Sequence, residues 1–383
     1  MAYSVSVLHI LAELAVPAAI TLGMLLLLQP IAQKLGLLDH PEGRKDHDEP
    51  TAATGGLAMA IGIFVAMLWF TDWSPQIVAF MVAASLIVLV GMLDDHYDLR
   101  WWVRVLAQCG AVLVMVYGGG VRIEHIGQVF GMESTGLGVL SVPFTVFATV
   151  GVINALNMID GVDGLAGGIS LAGLGMLAAA SFYEGNTELA ERLVIFIGAV
   201  LGFLLMNMRF PWQPRARVFM GDAGSAFLGF SIAWATFRLT QAHGHSVTPI
   251  LAPWLIATPI IDCVVLIVRR LRRGQSPFRA DREHMHHLML DAGFTPSQLT
   301  VTLTAVNLLL GLAAGVALKM KVPQPLLVAA FVAICLWYFW LTARRERAVS
   351  VFARLNRFLT RAHLKSQDTL ASSHAGNEVE QGK

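Results

Sequence analysis

Eleven long apolar runs follow one another along the chain, and this succession limits the possible folds more than any other feature. Most runs come close to the roughly 20 residues that a helix needs to cross a bilayer. Lipid offers the backbone no hydrogen-bond partner, so a single segment can pair all of its own N–H and C=O groups only as a helix. The sequence therefore predicts an all-α polytopic membrane protein with about eleven transmembrane helices. The runs lie at residues 5–32, 52–70, 76–93, 103–118, 139–157, 165–183, 193–208, 219–237, 247–268, 299–318 and 322–341.

The composition agrees with a lipid environment. Only 14% of the residues are charged and 56% are hydrophobic, whereas soluble domains carry about 25% charged residues. The first run lacks a basic start and a small-residue cleavage site, which predicts a retained helix. The three cysteines, Cys109, Cys263 and Cys335, lie inside apolar runs, and their spacing fits neither a disulfide framework nor a metal site.

Positive charge is distributed unevenly between alternate connections, and this gives an expected orientation. With eleven crossings, 22 of the 27 lysines and arginines fall after odd-numbered runs or in the C-terminal tail. Cytoplasmic segments carry such an excess, so we expect the N-terminus outside and the C-terminus in the cytoplasm. Residues 1–343 then form the transmembrane domain, and residues 344–383 form a tail that begins basic and continues disordered. The glycine-rich stretch 118–138 predicts a small extracytoplasmic hairpin.

Four polar motifs interrupt the apolar chain, and all four fall on the side predicted to be cytoplasmic. Alternate connections on the other side hold no comparable motif. The sequence therefore predicts an active site at the cytoplasmic face. The motifs are GMLDDHYDLRWWVR at 91–104, NMIDGVDGLAGG at 157–168, FMGDAGSAFLG at 219–229 and SPFRADREHMHH at 276–287.

The first motif combines acidic residues with an arginine. The spacing DDxxD places Asp98 about one helical turn from Asp94 and Asp95. Neighbouring carboxylates repel one another and favour a nearby cation or a proton, which suits a metal–phosphate site. Arg104 lies within reach of the same site. The alternatives are acidic residues that cap the next helix and an arginine that only anchors the helix at the membrane surface.

The second and third motifs supply further oxygen ligands. Asn157, Asp160 and Asp163 recur every three residues, and Asp222 opens a run in GDAGS. Magnesium prefers carboxylate and amide oxygens together with phosphate and water, and a helix N-terminus attracts phosphate. The alternative is that these residues are helix caps in glycine-rich turns.

The fourth motif is rich in histidine. His284, His286 and His287 follow Arg279 and Arg282. Zinc is one possible ligand, although no cysteine pair supports it. Imidazoles beside arginines suit a diphosphate better, because they donate hydrogen bonds to oxyanions. A basic surface loop without a ligand is the remaining alternative.

Together the motifs favour metal-assisted phosphoryl transfer at a membrane surface. The chain has neither a Walker A loop nor a GxSxG elbow. A site at this boundary implies one lipid-borne and one soluble substrate. Glu13 and Asp262 lie inside apolar runs and stay unassigned. An ion-coupled transporter would explain them, but transporters place their sites near the bilayer midplane.

The segments GMLDDHYD, NALNMIDGVDGLAGG, VFMGDAGS and SPFRADREHMHHL resemble the polyprenyl-phosphate N-acetylhexosamine-1-phosphate transferase family. Within it, residues 35–300 look most like the bacterial undecaprenyl-phosphate N-acetylglucosamine-1-phosphate transferases. The resemblance implies transfer of GlcNAc-1-phosphate from UDP-GlcNAc to undecaprenyl phosphate, giving GlcNAc-diphosphoundecaprenol and UMP with Mg²⁺ or Mn²⁺. It implies the initiating step of O-antigen or enterobacterial-common-antigen-type synthesis at the bacterial inner membrane.

The resemblance also implies roles for the motif residues. It assigns metal binding to Asn157 and Asp222. A sister enzyme with another UDP-N-acetylamino sugar stays an alternative; we expect no nucleic-acid partner, and a homodimer stays open. The implied catalytic residues are Asp94, Asp95, Asp160 and Asp163, and the implied substrate-binding residues are Arg104, Arg279, Arg282, His284, His286 and His287.

Overall fold

The part of the chain that the structure describes is helical almost throughout. The computed structural model describes residues 7–35, 38–39, 51–129, 131, 136–241, 247–277 and 282–361. Two-residue strands, Leu38–Asp39 and Thr51–Ala52, pair antiparallel. The helices are α1 (Val7–Leu35), α2 (Gly55–Phe70), α3 (Pro75–Tyr97), α4 (Trp101–Gly119), α5 (Ser141–Ile159), α6 (Leu165–Tyr183), α7 (Thr187–Asn207), α8 (Gly221–Thr240), α9 (Ala252–Leu255), α10 (Ala257–Arg272), α11 (Met285–Asp291), α12 (Pro296–Lys319), α13 (Gln324–Thr342) and α14 (345–361).

Every predicted apolar run contains a helix, which confirms an all-α polytopic membrane protein. By length and composition, eight helices within the described residues could cross a membrane. A ninth span results if α9 and α10, with the short turn before them, count as one helix broken by 87°. The helices α2 and α8 fall outside that criterion. The count of eleven crossings and the orientation of the termini therefore stay predictions.

Helix α8 occupies the centre of the bundle. Nearly all of its residues are buried, as expected for a helix that is apolar on every side. Around its middle, Phe80 of α3 lies 4.7 Å from Trp234 and 5.8 Å from Phe230, measured between ring centroids. Such aromatic contacts add to the stabilisation that burial gives. This packing fixes the position of the polar end of α8.

Backbone contacts draw α2 and α3 against the start of α8. A Cβ atom added at Gly56 would lie 2.3 Å from the Gly224 nitrogen, and one added at Gly91 would lie 2.3 Å from Ala223 Cα. No side chain fits at either position, so the glycines allow the closest approach that helices can make. The first turn of α8 is thereby held beside the last turn of α3, where the first motif lies.

Two segments at the periphery of the fold carry separate predictions: a hairpin within residues 118–138 and a basic, then disordered, C-terminal tail. In the stretch 118–138, His125 and Gly136 form one antiparallel bridge, which is a minimal version of the predicted hairpin. The basic start of the tail is the helix α14. Residues 362–383, where we predict disorder, lie outside the described residues.

Candidate active site

Three of the motifs meet at one end of the bundle. Arg104 of α4 donates from Nη1 to Asp94 Oδ2 at 2.8 Å and to Asp222 Oδ2 at 3.2 Å. Asn157, in the last turn of α5, donates from Nδ2 to Asp222 Oδ1 at 2.7 Å. Asp94 is only 4% exposed, so the arginine neutralises a carboxylate that burial would otherwise disfavour. Residues separated by more than a hundred positions therefore form one polar cluster.

Asp95 holds the start of α8. Its Oδ1 accepts the Asp222 amide at 2.7 Å, and its Oδ2 accepts the Ala223 amide at 3.3 Å. These amides have no partner within the helix, and a carboxylate is favourable at a helix N-terminus. Gly221 precedes them with φ +72°, a left-handed conformation that favours glycine. Asp95 thus caps one helix from another.

The contact between Gly221 and Asp95 yields a stability prediction. A Cβ added at Gly221 would lie 2.5 Å from Asp95 Oδ2, and the left-handed backbone alone costs a non-glycine residue about 1–2 kcal/mol. Gly221→Ala should therefore lower the melting temperature of the detergent-purified protein by several degrees. The matched control is Gly175→Ala in α6, where an added Cβ meets nothing within 4 Å. Equal melting temperatures for the two variants would contradict this account.

Asp160 ends α5 and lies half-buried beside the cluster. Burial first, and then the negative charges of Asp222, Asp95 and Asp163, raise the pKa of its carboxyl to about 8. At neutral pH the Asp160 carboxyl is therefore protonated in most molecules when no cation is present. A site with this property attracts cations.

The raised pKa of Asp160 predicts a specific pH dependence of stability. A proton that the folded state binds more tightly contributes stability that is fully present below the ordinary pKa, 3.8. That contribution is lost as the pH rises through about 8. In chelator and detergent, the melting temperature of the natural chain should fall more steeply between these pH values than that of Asp160→Asn. Parallel curves would contradict the assignment.

Asp163 forms its hydrogen bonds with residues outside the polar cluster. Its Oδ2 accepts Arg209 Nε at 2.7 Å and the Ala216 amide at 3.1 Å. The Thr300 hydroxyl donates to its backbone carbonyl at 2.9 Å. These contacts tie the second motif to the α7–α8 connection and to α12. The predicted catalytic role of Asp163 stays a prediction, and its contacts indicate a positioning role.

The histidine motif lies against the second motif. A Cβ added at Gly161 would come within 2.6 Å of His286 Nε2. The three imidazoles lie close together: His286 stacks on His284 with ring centroids 5.5 Å apart, and its ring is tilted against that of His287 at 4.3 Å. Burial, and then the neighbouring His287 and His284, lower the pKa of His286 to about 3. This histidine is therefore neutral at physiological pH and offers a hydrogen bond without a positive charge.

Asp262, which the sequence left unassigned, anchors this motif. It is 1% exposed, and its Oδ2 lies 2.9 Å from His284 Nδ1. Its Oδ1 accepts the Met285 amide at 2.9 Å and the Tyr338 hydroxyl at 2.8 Å. The carboxylate thus holds His284 and the start of α11 from inside the bundle. Glu13 is also buried, and His9, one helical turn earlier, lies 3.3 Å from it.

Salt bridges hold the rest of the histidine loop. Glu283 accepts Arg269 Nη1 at 3.2 Å and Arg273 Nη1 at 2.7 Å. Burial alone would raise the pKa of Glu283, but these two arginines lower it below its usual range. Arg282 is exposed, and its carbonyl accepts Arg345 Nη1 at 3.0 Å. Arg279 lies outside the described residues, so the structure says nothing of its predicted role.

A partly open cleft begins at the polar cluster and continues between α3, α4, α5 and α8. Each of these helices contributes a polar side chain at its end, and three of them add apolar side chains about one turn deeper. The cleft therefore joins a charged mouth to a largely apolar interior. Its lining residues are Ile87, Val90, Gly91, Asp94, Arg104, Ala107, Gln108, Asn154, Asn157, Asp222 and Ala226.

The possible metal ligands at the mouth of the cleft suffice for magnesium only if a substrate phosphate supplies further ligands. Across the described ranges, no three His, Cys, Asp or Glu side chains are grouped so that they could hold a metal ion. Magnesium, however, usually takes one or two carboxylates and completes its shell with phosphate oxygens and water. Asp222 supplies such a carboxylate, and a rotated Asn157 amide would supply an oxygen. The residues present therefore fit a metal that arrives with a phosphate.

Comparison with known proteins agrees with this geometry. Residues 77–240 match the family described as Glycosyl transferase family 4, a range that includes the acidic motifs. A Haemophilus influenzae protein named undecaprenyl-phosphate alpha-N-acetylglucosaminyl 1-phosphate transferase is 38% identical over 74% of this chain and 80% of its own. Proteins of the same name from Yersinia pestis and Salmonella typhi are 32% and 33% identical, over 94% and 96% of their lengths. These two similarities cover 89% and 92% of this chain.

Proposed function

Because the chain belongs to glycosyl transferase family 4, we propose that it transfers N-acetylglucosamine 1-phosphate from UDP-GlcNAc to undecaprenyl phosphate. The names of the relatives give the reaction type. The products would be GlcNAc-diphosphoundecaprenol and UMP. The observation that carries the proposal for this chain is the cleft, whose charged mouth continues between membrane helices into an interior that is apolar except for Gln108 and Asn154.

The cleft suits a phosphate attached to a long hydrocarbon. Arg104 at its mouth can donate to a phosphate oxygen, since its guanidinium offers five N–H donors and the described contacts use Nη1. One turn deeper, Val90, Ala107 and Ala226 present apolar surface. A lipid phosphate would therefore place its charge beside Arg104, with the start of its hydrocarbon chain directed toward these apolar side chains.

The transfer itself is a balanced exchange of phosphorus–oxygen bonds. A non-bridging oxygen of the lipid phosphate bonds to the phosphorus that carries the sugar. The bond between that phosphorus and the bridging oxygen breaks, and UMP leaves with the electron pair. Asn157 and Asp222 would hold a Mg²⁺ or Mn²⁺ ion, whose chemistry is to neutralise charge that develops on the phosphate oxygens. Neutral His286, beside Gly161, could donate a hydrogen bond to the diphosphate.

Asp95 is better placed to position α8 than to act as a base. Both of its oxygens accept backbone amides of α8. A phosphate monoester has a second pKa of about 6 and is largely ionised near neutral pH, so it needs no base to become a nucleophile. We therefore assign Asp95 to holding Asp222 in place.

We also propose the setting of the reaction. The bacterial relatives favour the inner membrane as its location. The uneven distribution of lysine and arginine favours an external N-terminus and a site at the cytoplasmic face. The product would initiate an O-antigen or enterobacterial-common-antigen-type polysaccharide. A homodimer stays a prediction.

An assay with the purified full-length protein tests the proposal. Radiolabelled UDP-GlcNAc and undecaprenyl phosphate should give a labelled lipid that requires Mg²⁺ or Mn²⁺ and releases UMP. A parallel reaction with UDP-N-acetylfucosamine tests the sister activity. A lipid product from that donor alone would replace the proposed substrate. No product from either donor with any metal would reject the transferase function.

A further inference from the structure

The last described helix carries a surface that the proposed reaction does not use. Residues 344–361 contain six arginines and one glutamate. Along α14, the large apolar side chains Val351, Leu355, Phe358 and Leu359 are 37%, 38%, 68% and 37% exposed. Their spacing of three and four residues places them in one stripe on the helix surface. We call these four residues the apolar stripe.

The first turn of α14 packs against the protein, and its buried residue, Ala348, lies in line with Leu355 of the apolar stripe. Ala348 is fully buried in a cluster with Leu288 of α11 and Leu341 of α13. Arg345 forms an ion pair with Asp291, the last residue of α11. The guanidinium of Arg347 stacks on the Trp340 ring, 4.2 Å from its centroid. These contacts hold the helix at the end of the bundle where the histidine motif lies.

A row of arginines borders the apolar stripe. Arg354 and Arg361 are seven residues apart and so lie on one line along the helix, next to Phe358 and Val351. Arg357 lies further round on the same side, and all three side chains are exposed. Among the residues that the structure describes, these three arginines form no hydrogen bond or ion pair. The outer face of α14 is therefore apolar along one strip and positively charged along the next.

We propose that this face of α14 binds an anionic lipid surface. The apolar stripe would enter the boundary between headgroups and acyl chains, and the arginines would contact the lipid phosphates. Two observations favour lipid as the occupant. The charge of the helix complements an anionic leaflet, and Trp337 and Trp340, both more than half exposed at the end of α13, are residues typical of the membrane interface.

Lipid binding at α14 would restrain the motion of the histidine motif. The helix is joined to α11 by the ion pair between Arg345 and Asp291 and by the cluster around Ala348. A bilayer that holds α14 in place therefore also restrains α11, whose His286 contacts Gly161. This consequence concerns the order of α11 and does not depend on which sugar nucleotide the protein uses.

The test uses the full-length protein in lipid nanodiscs. With the natural cysteines replaced by alanine, Phe358→Cys carries an environment-sensitive fluorophore, and Thr360→Cys on the other side of α14 is the matched control. Lipids with brominated acyl chains should quench the label at 358 much more than the label at 360. Phosphatidylglycerol should increase that quenching. Replacing Arg354, Arg357 and Arg361 together with glutamine should weaken docking about a hundredfold, at about 1 kcal/mol per arginine.

Equal quenching at the two positions, with or without phosphatidylglycerol, would overturn the proposal. A label at 358 that is shielded from both brominated lipid and aqueous iodide would also overturn it, because protein would then cover the stripe. A second measurement needs no substitution. In the natural chain, the amides of α11 and α14 should exchange hydrogen more slowly in nanodiscs that contain phosphatidylglycerol, and identical exchange in neutral nanodiscs would contradict lipid docking.

Discussion

Asp222→Asn should lower turnover at least about a hundredfold while the protein still inserts and purifies normally. Asp222 contacts Arg104, Asn157 and, through its own amide, Asp95. The substitution keeps the size of the side chain and one of its two acceptor oxygens but removes its negative charge. Losing one preorganised electrostatic group in an enclosed site typically costs 10²–10³ in rate. Turnover is measured as labelled lipid formed per minute by the purified variant.

The matched control for this variant is Asp72→Asn. Asp72 is an exposed aspartate after α2, at the end of that helix remote from the α8 contacts. Both substitutions remove one carboxylate charge, and only one touches the cluster. Near-normal turnover by Asp222→Asn, or an equal loss in both variants, would remove Asp222 from the site. Magnesium titrations of both proteins separate weaker metal use from slower chemistry.

Asp262→Asn should reduce turnover about a hundredfold, although the residue lies behind the histidine motif and does not line the cleft. The carboxylate fixes His284 and the first amide of α11. The amide that replaces it cannot accept from all three present donors with the same strength, since a charged acceptor forms stronger hydrogen bonds. A misplacement of about 1 Å in a positioned group can cost about a hundredfold.

Two measurements distinguish this positioning role from simple instability. Tyr338→Phe removes one hydrogen bond to Asp262 and leaves those from His284 and Met285, so its turnover should stay within about tenfold of normal. In Asp262→Asn, the nitrogen-15 shifts of the His284 imidazole should report a changed tautomer, and the KM for undecaprenyl phosphate should stay constant. An unchanged imidazole spectrum with normal turnover would contradict the role of Asp262.

Much of the fold could be predicted because apolar length alone decides where helices cross a membrane. The start of α7 was missed by six residues, since Glu188, Glu191 and Arg192 interrupt the apolar pattern. Arg192 is nonetheless buried, paired with Glu188 one turn earlier. Local composition does not reveal that a charge is buried beside a partner.

The break between α9 and α10 shows a second limit. The sequence predicts one continuous crossing over 247–268, and the structure bends it by 87°. Asn307 of α12 accepts the Thr258 amide at 3.2 Å and donates to the Leu255 carbonyl at 2.9 Å, which satisfies the backbone groups at the break. A partner some fifty positions away makes this bend possible, and no local pattern predicts it.

Sequence reasoning predicted which residues lie at the candidate site better than it predicted which residues they contact. A shared membrane face was enough to expect Asp94, Asn157 and Asp222 together. The sequence could not show that Asp163 binds Arg209 or that Asp262 holds His284, because these contacts depend on how helices pack. The predicted roles of the motif residues stay predictions, and the variants above address the central ones.

The link between Asp262 and Tyr338 has a consequence for how the protein is made. The two residues are 76 positions apart, so the ribosome delivers α10 to the membrane well before α13. Until then the aspartate lacks its phenolic partner, and a carboxylate with incomplete hydrogen bonding is expensive in lipid. Chains that terminate before Tyr338 would retain every acidic motif and still leave this carboxylate short of a partner. Membrane quality control degrades proteins that expose unpaired polar groups in lipid, and it should therefore remove these truncated chains.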